Sequence, residues 1–579
     1  MPRTAFTCAL LAALVAFATP AESPVTIVEL QAFRQAGSMK RRSLSGREGT
    51  VTLTNLNPQV GAWYILTLAW KDRAAETSWH LENPRPRETS LLLDEKYPSG
   101  LVVAEGNARF PCELFPDGVA SPVLERGRNS PLIYYPLCGG RVLLRNPAKG
   151  KRTALEGATE FLRDQVWGGE SVIILFHHLL ADRYRETAAP PNGPRTRNSP
   201  AHPADGYPLP ALTDLSRATQ LAIPQNLGIE LDPPGNDGKS MTPGAWYPAA
   251  GNPGTFVSVL QPNLISSAIL SNRRDLSGNL DSVEASSLCY LIAFNLDRFE
   301  VGYSRGTEYP GVGWSDRVTP QMKNSSLPGP DGIGSVAPLV STGLIAPTEG
   351  RRTVATFTGG FKRSHGAFRY GDLSLKNNGS HYGFVENGIV FSKLQPGLAT
   401  VLMLNDGSLE MKTWTEADDM RIPKIRHARQ NGVPLAEFDP ASRSTLPGRL
   451  VTRWGPGNWS GSEDDKLRTI RGGMALQESQ GGRFLIYAVF SAATPTAMAR
   501  VFQAYQTSYA MLLDMNALEH TYLAYYRRSG SEMSVDHLLK GMNVLDQSVS
   551  GQVIPRFLGF PDNRDFFYVM KRNTKEGKR

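Results

Sequence analysis

From Pro24 to about Tyr184 the chain alternates apolar and polar residues in short runs: TVTLTNL, WYILTLAW, SLLLDE, GRVLLRN and SVIILFHH. Neighbouring strand residues point to opposite faces, so this alternation, punctuated by Gly, Pro and Asn, predicts antiparallel strands assembled as a sandwich. One helix is expected among them, because Thr153 can cap ALEGATEFLRDQVW, where Leu155, Phe161, Leu162 and Val166 recur at helical spacing. Between residues 187 and 245 the texture changes to AAPPNGPRTRNSPAHPADGYPLP and LDPPGNDGKSMTPG. Proline at that density sustains neither helices nor central strands, which predicts a linker that wraps or bridges.

From residue 246 to 570 strand-like runs return in FVSVLQP, LCYLIAFNL, ATVLML and FLIYAVF. They are joined by a helix, TPTAMARVFQAYQTSYA, with Thr494 as cap, Pro495 at its first position, and Ala497, Val501 and Tyr505 down one face. Strand, helix and the strand AMLLDMN together predict a right-handed crossover that leaves Asp514, Met515 and Asn516 at a carboxyl strand end. In open α/β sheets ligands bind at such ends. The fold class expected is α+β: a β-rich, sandwich-like module over 22–186, a Pro-rich linker over 187–245, a mixed α/β domain over 246–570 and a basic tail over 571–579.

Composition agrees with folded domains. At 579 residues the chain is too long for one ordinary core, and 41% apolar residues exclude global disorder. Residues 1–21 combine a short cationic start, an apolar run from about Ala9 to Ala18, and small residues at Thr19 and Ala21. That run is short for a bilayer span and has the size of an export signal cleaved after Ala21; the alternative is an uncleaved anchor. A secreted or periplasmic address is expected, and no later segment is apolar enough for a membrane helix.

Signal removal leaves Cys112, Cys138 and Cys289. The first two flank a strand-rich stretch and are expected to form a disulfide in an oxidising compartment, while Cys289 in SSLCYLIAF reads as a buried small hydrophobe. The net charge of +8 favours polyanions in general without choosing among phosphorylated glycans, lipopolysaccharide and nucleic acid. GNDGKS is no phosphate loop, since its pattern requires glycine where Pro233 stands. His177 and His178 are strand neighbours facing opposite ways and cannot easily chelate one metal.

Five segments then carry a resemblance: TFTGGFKRSHG, GLATVLMLNDGSLEMKTW, RHARQNGVPL, RTIRGGMALQESQGGRFLIYAVF and AYQTSYAMLLDMNALEHTYLAYY. In order and spacing they resemble the phosphodiester glycosidase family, over roughly Trp246 to Tyr526. The resemblance implies an exported hydrolase of glycosyl-1-phosphodiester linkages in envelope or extracellular glycans. Its partner would be a phosphorylated or anionic glycan rather than nucleic acid. No metal and no cofactor are expected, as no HxxH, CxxC or EF-hand spacing occurs. A non-catalytic glycan-binding or polysaccharide-assembly protein on the same fold is the alternative.

Such chemistry expels a phosphate monoester from an anomeric carbon. It needs cations or backbone N–H groups on the phosphate and a carboxylate at the oxocarbenium-like centre. Asp514 is the expected catalytic carboxylate, with a turn-capping role as its alternative. Arg471 and His365 complete the expected catalytic set, His365 as acid or phosphate ligand. Thr358, Gly359, Gly360, Lys362, Arg429, Asn431 and Asn516 are the expected substrate-binding residues. The glycines would form an N–H nest, Arg429 and Arg471 would grip phosphate by two nitrogens, and Asn516 would share a strand face with Asp514. Two positions depart from the family pattern: Thr358 replaces an asparagine, and Gly472 replaces a small hydroxyl residue.

Overall fold

The computed structural model describes residues 26–42, 46–72, 76–115, 122–151, 206–214, 221–232, 240–311, 314, 318, 320–323, 335, 337–368, 371–375, 381–455, 459 and 467–573. The export signal, the helix expected after Thr153, the His177–His178 pair, most of GNDGKS and residues 574–579 lie outside these.

The alternating N-terminal runs form a six-stranded antiparallel sheet in the order Gln35–Arg42, Glu48–Asn55, Trp63–Trp70, Thr77–Glu82, Val142–Arg145, Tyr134–Leu137. A three-stranded sheet of Thr89–Leu92, Gly100–Glu105 and Ala108–Glu113 packs against it. Leu53, Leu66, Leu68, Trp79 and Leu81 from the larger sheet meet Leu91, Leu101 and Val103 from the smaller in one buried cluster, the interior of a sandwich. The expected Cys112–Cys138 disulfide is present and ties the smaller sheet to the turn after Tyr134–Leu137. Cys289 is free and buried.

The period-2 rule has a second consequence in Trp63–Trp70. Tyr64, Leu66 and Leu68 face the sandwich interior, while Trp63 and Ile65 face the other way. There they enter a second, larger core with Phe294, Phe299, Tyr303, Phe357 and Phe391, so the sandwich shares a core with the C-terminal part of the chain. The described pieces of the Pro-rich stretch wrap along that part. Leu209 N–H donates to the Gln477 side chain at 2.8 Å, Leu212 N–H donates to the Ala504 carbonyl at 2.8 Å, and Leu227, Ile229 and Leu231 are buried in the large core.

Beyond residue 246 three large sheets dominate. One has eight strands, in the order Tyr247–Pro248, Thr255–Leu260, Cys289–Asn295, Gly482–Ala493, Thr469–Ser479, Tyr509–Met515, Ala436–Asp439, Ser444–Pro447. A second contains Phe299–Ser304, Phe566–Lys571, Thr353–Thr358, Leu523–Ser529 and Glu532–His537. A third contains Ile389–Ser392, Phe384–Glu386, Ile425–Gln430, Ala399–Leu404 and Leu409–Thr413. Every neighbouring pair in them is antiparallel, so among the described residues the domain is mostly β with several antiparallel sheets and some helix, compatible with the expected α+β class. Among the described residues no helix is long and apolar enough to cross a membrane.

The helix Pro495–Ala504 forms as its signals predict, with the Thr494 hydroxyl accepting from Ala497 N–H at 3.4 Å. The strands before and after it are parallel to each other but not adjacent. The tight Ser479–Gly482 turn folds Thr469–Ser479 against one side of Gly482–Ala493, and Cys289–Asn295 occupies the other. The returning strand, Tyr509–Met515, therefore crosses one strand and pairs on the far side of Thr469–Ser479. Asp514 still arrives at a strand end, but at the meeting of antiparallel sheets rather than in the crevice of a parallel one.

Candidate functional site

Strand register explains why TFTGG matters. Thr353–Thr358 pairs antiparallel with Phe566–Lys571, placing Thr358 opposite Phe566. The residues just past the end of the first strand, Gly359 and Gly360, therefore face those just before the second, Arg564 and Asp565. Both glycine N–H groups donate to the Asp565 carbonyl, at 2.8 and 3.1 Å, and Phe361 N–H donates to Asp565 Oδ1 at 2.6 Å. The expected nest of N–H groups exists, but a carbonyl and a carboxylate of the chain itself fill it.

The glycines are demanded by close approach. A Cβ on Gly359 would lie 2.6 Å from Asp565 Oδ1, and one on Gly360, where φ is +96°, would lie 2.2 Å from Asp514 Oδ2. Two carboxylates press on two adjacent glycines, and only the absence of side chains permits it. We expect Gly360→Ala to cost a few kcal/mol of stability and to lower any Asp514-dependent turnover by about 100-fold. Gly397→Ala, at φ +85° with nothing within 4 Å of its Cβ, isolates the backbone strain, on the order of 1 kcal/mol. Denaturant unfolding of both variants separates the two effects.

Asp565 is fully engaged. Its Oδ2 accepts from Arg429 Nε at 2.9 Å and from the Tyr303 hydroxyl at 3.0 Å. Arg429 also donates from Nη2 to the Gly359 carbonyl at 2.7 Å and stacks on Phe361, with its Nη1 enclosed and without a hydrogen-bond partner in the protein. Arg564 donates to the Gly360 carbonyl at 2.9 Å and lies 3.3 Å from His365 Nδ1.

Asp514 stands against this arrangement. Its Oδ1 accepts from Met515 N–H at 2.8 Å, while its buried Oδ2 has no hydrogen-bond partner in the protein. His520 Nδ1 lies 3.7 Å from Oδ2 and bonds the Met515 carbonyl, so that ring nitrogen carries the proton. Burial is the largest influence on Asp514 and pushes its carboxyl up to about 7; Arg564, the Met515 N–H and Arg429 pull down, and Asp565 pushes up.

Two asparagines complete this end of the strand. Asn431, fully buried, donates its amide to the carbonyls of Leu512 and Leu513, leaving Oδ1 enclosed and unpartnered. Asn516 does not continue the strand as expected. Its backbone turns to φ +83°, held by its N–H on the Ile470 carbonyl at 2.9 Å, so it leaves the shared face, and its enclosed Oδ1 also lacks a partner. Four expected site residues, Asp514, Asn431, Asn516 and Arg429, thus keep a buried polar atom without a protein partner. Buried polar atoms are normally paired, so these four atoms have room for partners that the chain's own groups do not supply.

The remaining expected residues make contacts within the protein itself. Thr358 N–H donates to the Tyr522 carbonyl at 3.0 Å, and its hydroxyl reaches the Asp565 carbonyl only at 3.5 Å. Lys362 faces Glu308, with 3.8 Å between charges. Arg471 is fully buried, donating to the Ala493 and Leu467 carbonyls at 2.7 and 2.9 Å and touching Met515 Sδ. Gly472 lies beside the Asp514 backbone, with the Tyr487 hydroxyl near. Among the described residues no three His, Cys, Asp or Glu gather as metal ligands. Arg564, Asp565, Tyr303 and His520 were not foreseen. The signal for the first two is PDNRDFFYVM, where opposite charges abut an apolar strand.

No family model matches the chain, and no curated protein matches it. Among solved structures, the zebrafish N-acetylglucosamine-1-phosphodiester alpha-N-acetylglucosaminidase catalytic domain, auto-inhibited by its pro-peptide, aligns at 11% identity and a TM-score of 0.29, covering 56% of this chain and 85% of that one.

Proposed function

We propose that the chain is a hydrolase that acts, after export, on glycosyl-1-phosphodiester linkages of an envelope or extracellular glycan, with Asp514 as its catalytic carboxylate. The observation that carries this reading is the Asp514 side chain: buried, titrating near neutrality, with one oxygen unclaimed, packed against a glycine whose missing side chain makes room for it. Enclosed acceptor oxygens on Asp514, Asn431 and Asn516 suit a donor-rich ligand, and sugar hydroxyls are such donors.

In the reaction, water attacks the anomeric carbon, Asp514 accepts its proton, the bond from that carbon to the phosphate oxygen breaks, and the electron pair leaves with the phosphate monoester. That leaving group needs charge support more than a proton, and Arg564, bonded to the Gly360 carbonyl and 3.3 Å from His365 Nδ1, is a cation that can give it.

A second reading has its own observation. Arg429 and Arg471, the expected phosphate grips, are both fully buried and bonded to protein groups, which favours a site that binds a glycan without turnover. Incubation with a synthetic glycosyl-1-phosphodiester decides between them. Release of free sugar and phosphate monoester in equal amounts supports hydrolysis; saturable binding of the same compound without release overturns it in favour of the second reading.

A further inference from the structure

The turn carrying Arg564 belongs to no strand, so something other than a sheet ladder must hold it. Asp562 does so from two sides. Its Oδ1 accepts from Arg564 N–H at 2.8 Å, an Asx turn, and its Oδ2 accepts from Arg556 Nε at 2.6 Å. Its backbone is pinned as well, N–H to the Gly343 carbonyl at 2.9 Å and carbonyl to Thr307 N–H at 2.8 Å. Both side chains of the Arg556–Asp562 pair are at least 97% buried.

Arg556 reaches the other wall of the site. Its Nη1 donates to the Glu519 carbonyl at 2.8 Å, within the turn Leu518–His520 whose histidine approaches Asp514. Its own N–H donates to Asp546, which also takes the Tyr522 hydroxyl at 2.6 Å and lies 3.0 Å from His537 Nε2. One buried ion pair thus bonds to the segment bearing Arg564, whose charge acts on Asp514, and to the segment bearing His520, 3.7 Å from it.

We propose that Arg556 and Asp562 are positioning residues that set the placement of Arg564 and His520 about Asp514. This rests on the function proposed above only for its kinetic readout. The charged and titratable groups facing Asp514 are Arg564, Arg429, Asp565, His520 and Tyr487. Arg564 is the strongest of the charges that keep its carboxyl from rising further. A displaced Arg564 must therefore move the Asp514 titration upward, which loss of packing elsewhere does not do.

The test uses the full chain with Arg556→Lys, which keeps charge but loses the planar fork, and Asp562→Asn, which keeps an acceptor for Arg564 N–H but weakens the grip of Arg556. Carbon-13 carboxyl NMR of labelled aspartate, with Asp514 assigned by its loss in Asp514→Asn, follows the titration without any need for turnover. We expect both variants to raise the midpoint by at least about half a pH unit. Where turnover is measurable, we expect kcat to fall about 10-fold or more with KM changed far less. An unchanged midpoint in both folded variants overturns the proposal whatever their stability, and so does a variant too unfolded to titrate if the other shows no shift. A wild type without turnover but with a variant-dependent midpoint would remove the hydrolase reading and leave the positioning role standing.

Discussion

Replacing Asp514 by asparagine is expected to abolish turnover of a glycosyl-1-phosphodiester and, at alkaline pH, to make the protein more stable. The first effect follows from losing a group that, among the described residues of the site, alone combines a carboxylate, an unclaimed oxygen and a near-neutral titration; a drop of about 1000-fold or more is the expected scale. The second follows from proton linkage. Asp514 ordinarily titrates at 3.8 and in the fold at about 7, so between those values the folded protein holds a proton that the unfolded chain releases. Stability from this group is therefore fully present below about pH 4 and is lost as pH rises through 7. The cost at pH 8 is on the order of 4 kcal/mol at most. Asparagine carries no such cost, so the variant should exceed the wild type in melting temperature at pH 8, with the difference closing toward pH 4. A variant that is equally active, or less stable at pH 8, sinks the assignment of Asp514.

That pairing of lost activity with gained stability separates a functional carboxylate from a turn cap. A capping aspartate stabilises the fold when ionised, and its removal destabilises it at pH 8. Asp514 does accept one hydrogen bond, from Met515 N–H, but burial outweighs it.

How much of this was readable in advance depended on range. The alternation in TVTLTNL and WYILTLAW located the sandwich strands, since a strand with one buried face records it locally. Asp514 was readable as the polar end of an apolar strand, and the glycine pair as a turn. The reason for that pair was not, because Asp565 lies more than 200 residues away and meets Gly359 only through the register of Thr353–Thr358 against Phe566–Lys571. The resemblance stops near Tyr526, so it does not reach Arg564 and Asp565. The crossover itself was readable, but the strand lying inside it was not, for a similar reason. Helix signals show that a helix intervenes between two strands, but only competition for sheet edges decides that Thr469–Ser479 lies between them. Asn516 shows a local limit, since its turn to positive φ carries no proline or glycine to announce it.

The same register changes what Arg429 is for, and its replacement gives the second large effect. As a phosphate ligand at an open surface, Arg429 would be dispensable for folding, and Arg429→Met would raise KM for a phosphodiester with stability nearly intact. In the structure the Arg429 and Asp565 side chains are both fully buried, 2.9 Å apart, and Asp565 anchors Gly359, Gly360 and Phe361. Removing one partner of such a pair leaves an uncompensated charge and costs about 3 to 5 kcal/mol. Arg429→Met is therefore expected to destabilise strongly in denaturant unfolding. Asp565→Asn alone should do the same, because it strands the guanidinium. The double variant should recover part of the combined loss, since neither charge is then left alone. Strict additivity of the two single losses would dissolve the pair as a unit, and a near-neutral Arg429→Met would return Arg429 to the phosphate. Recovery in the double variant would instead mean that Arg429 serves the site indirectly, by holding Asp565 so that the glycine turn keeps its place in front of Asp514.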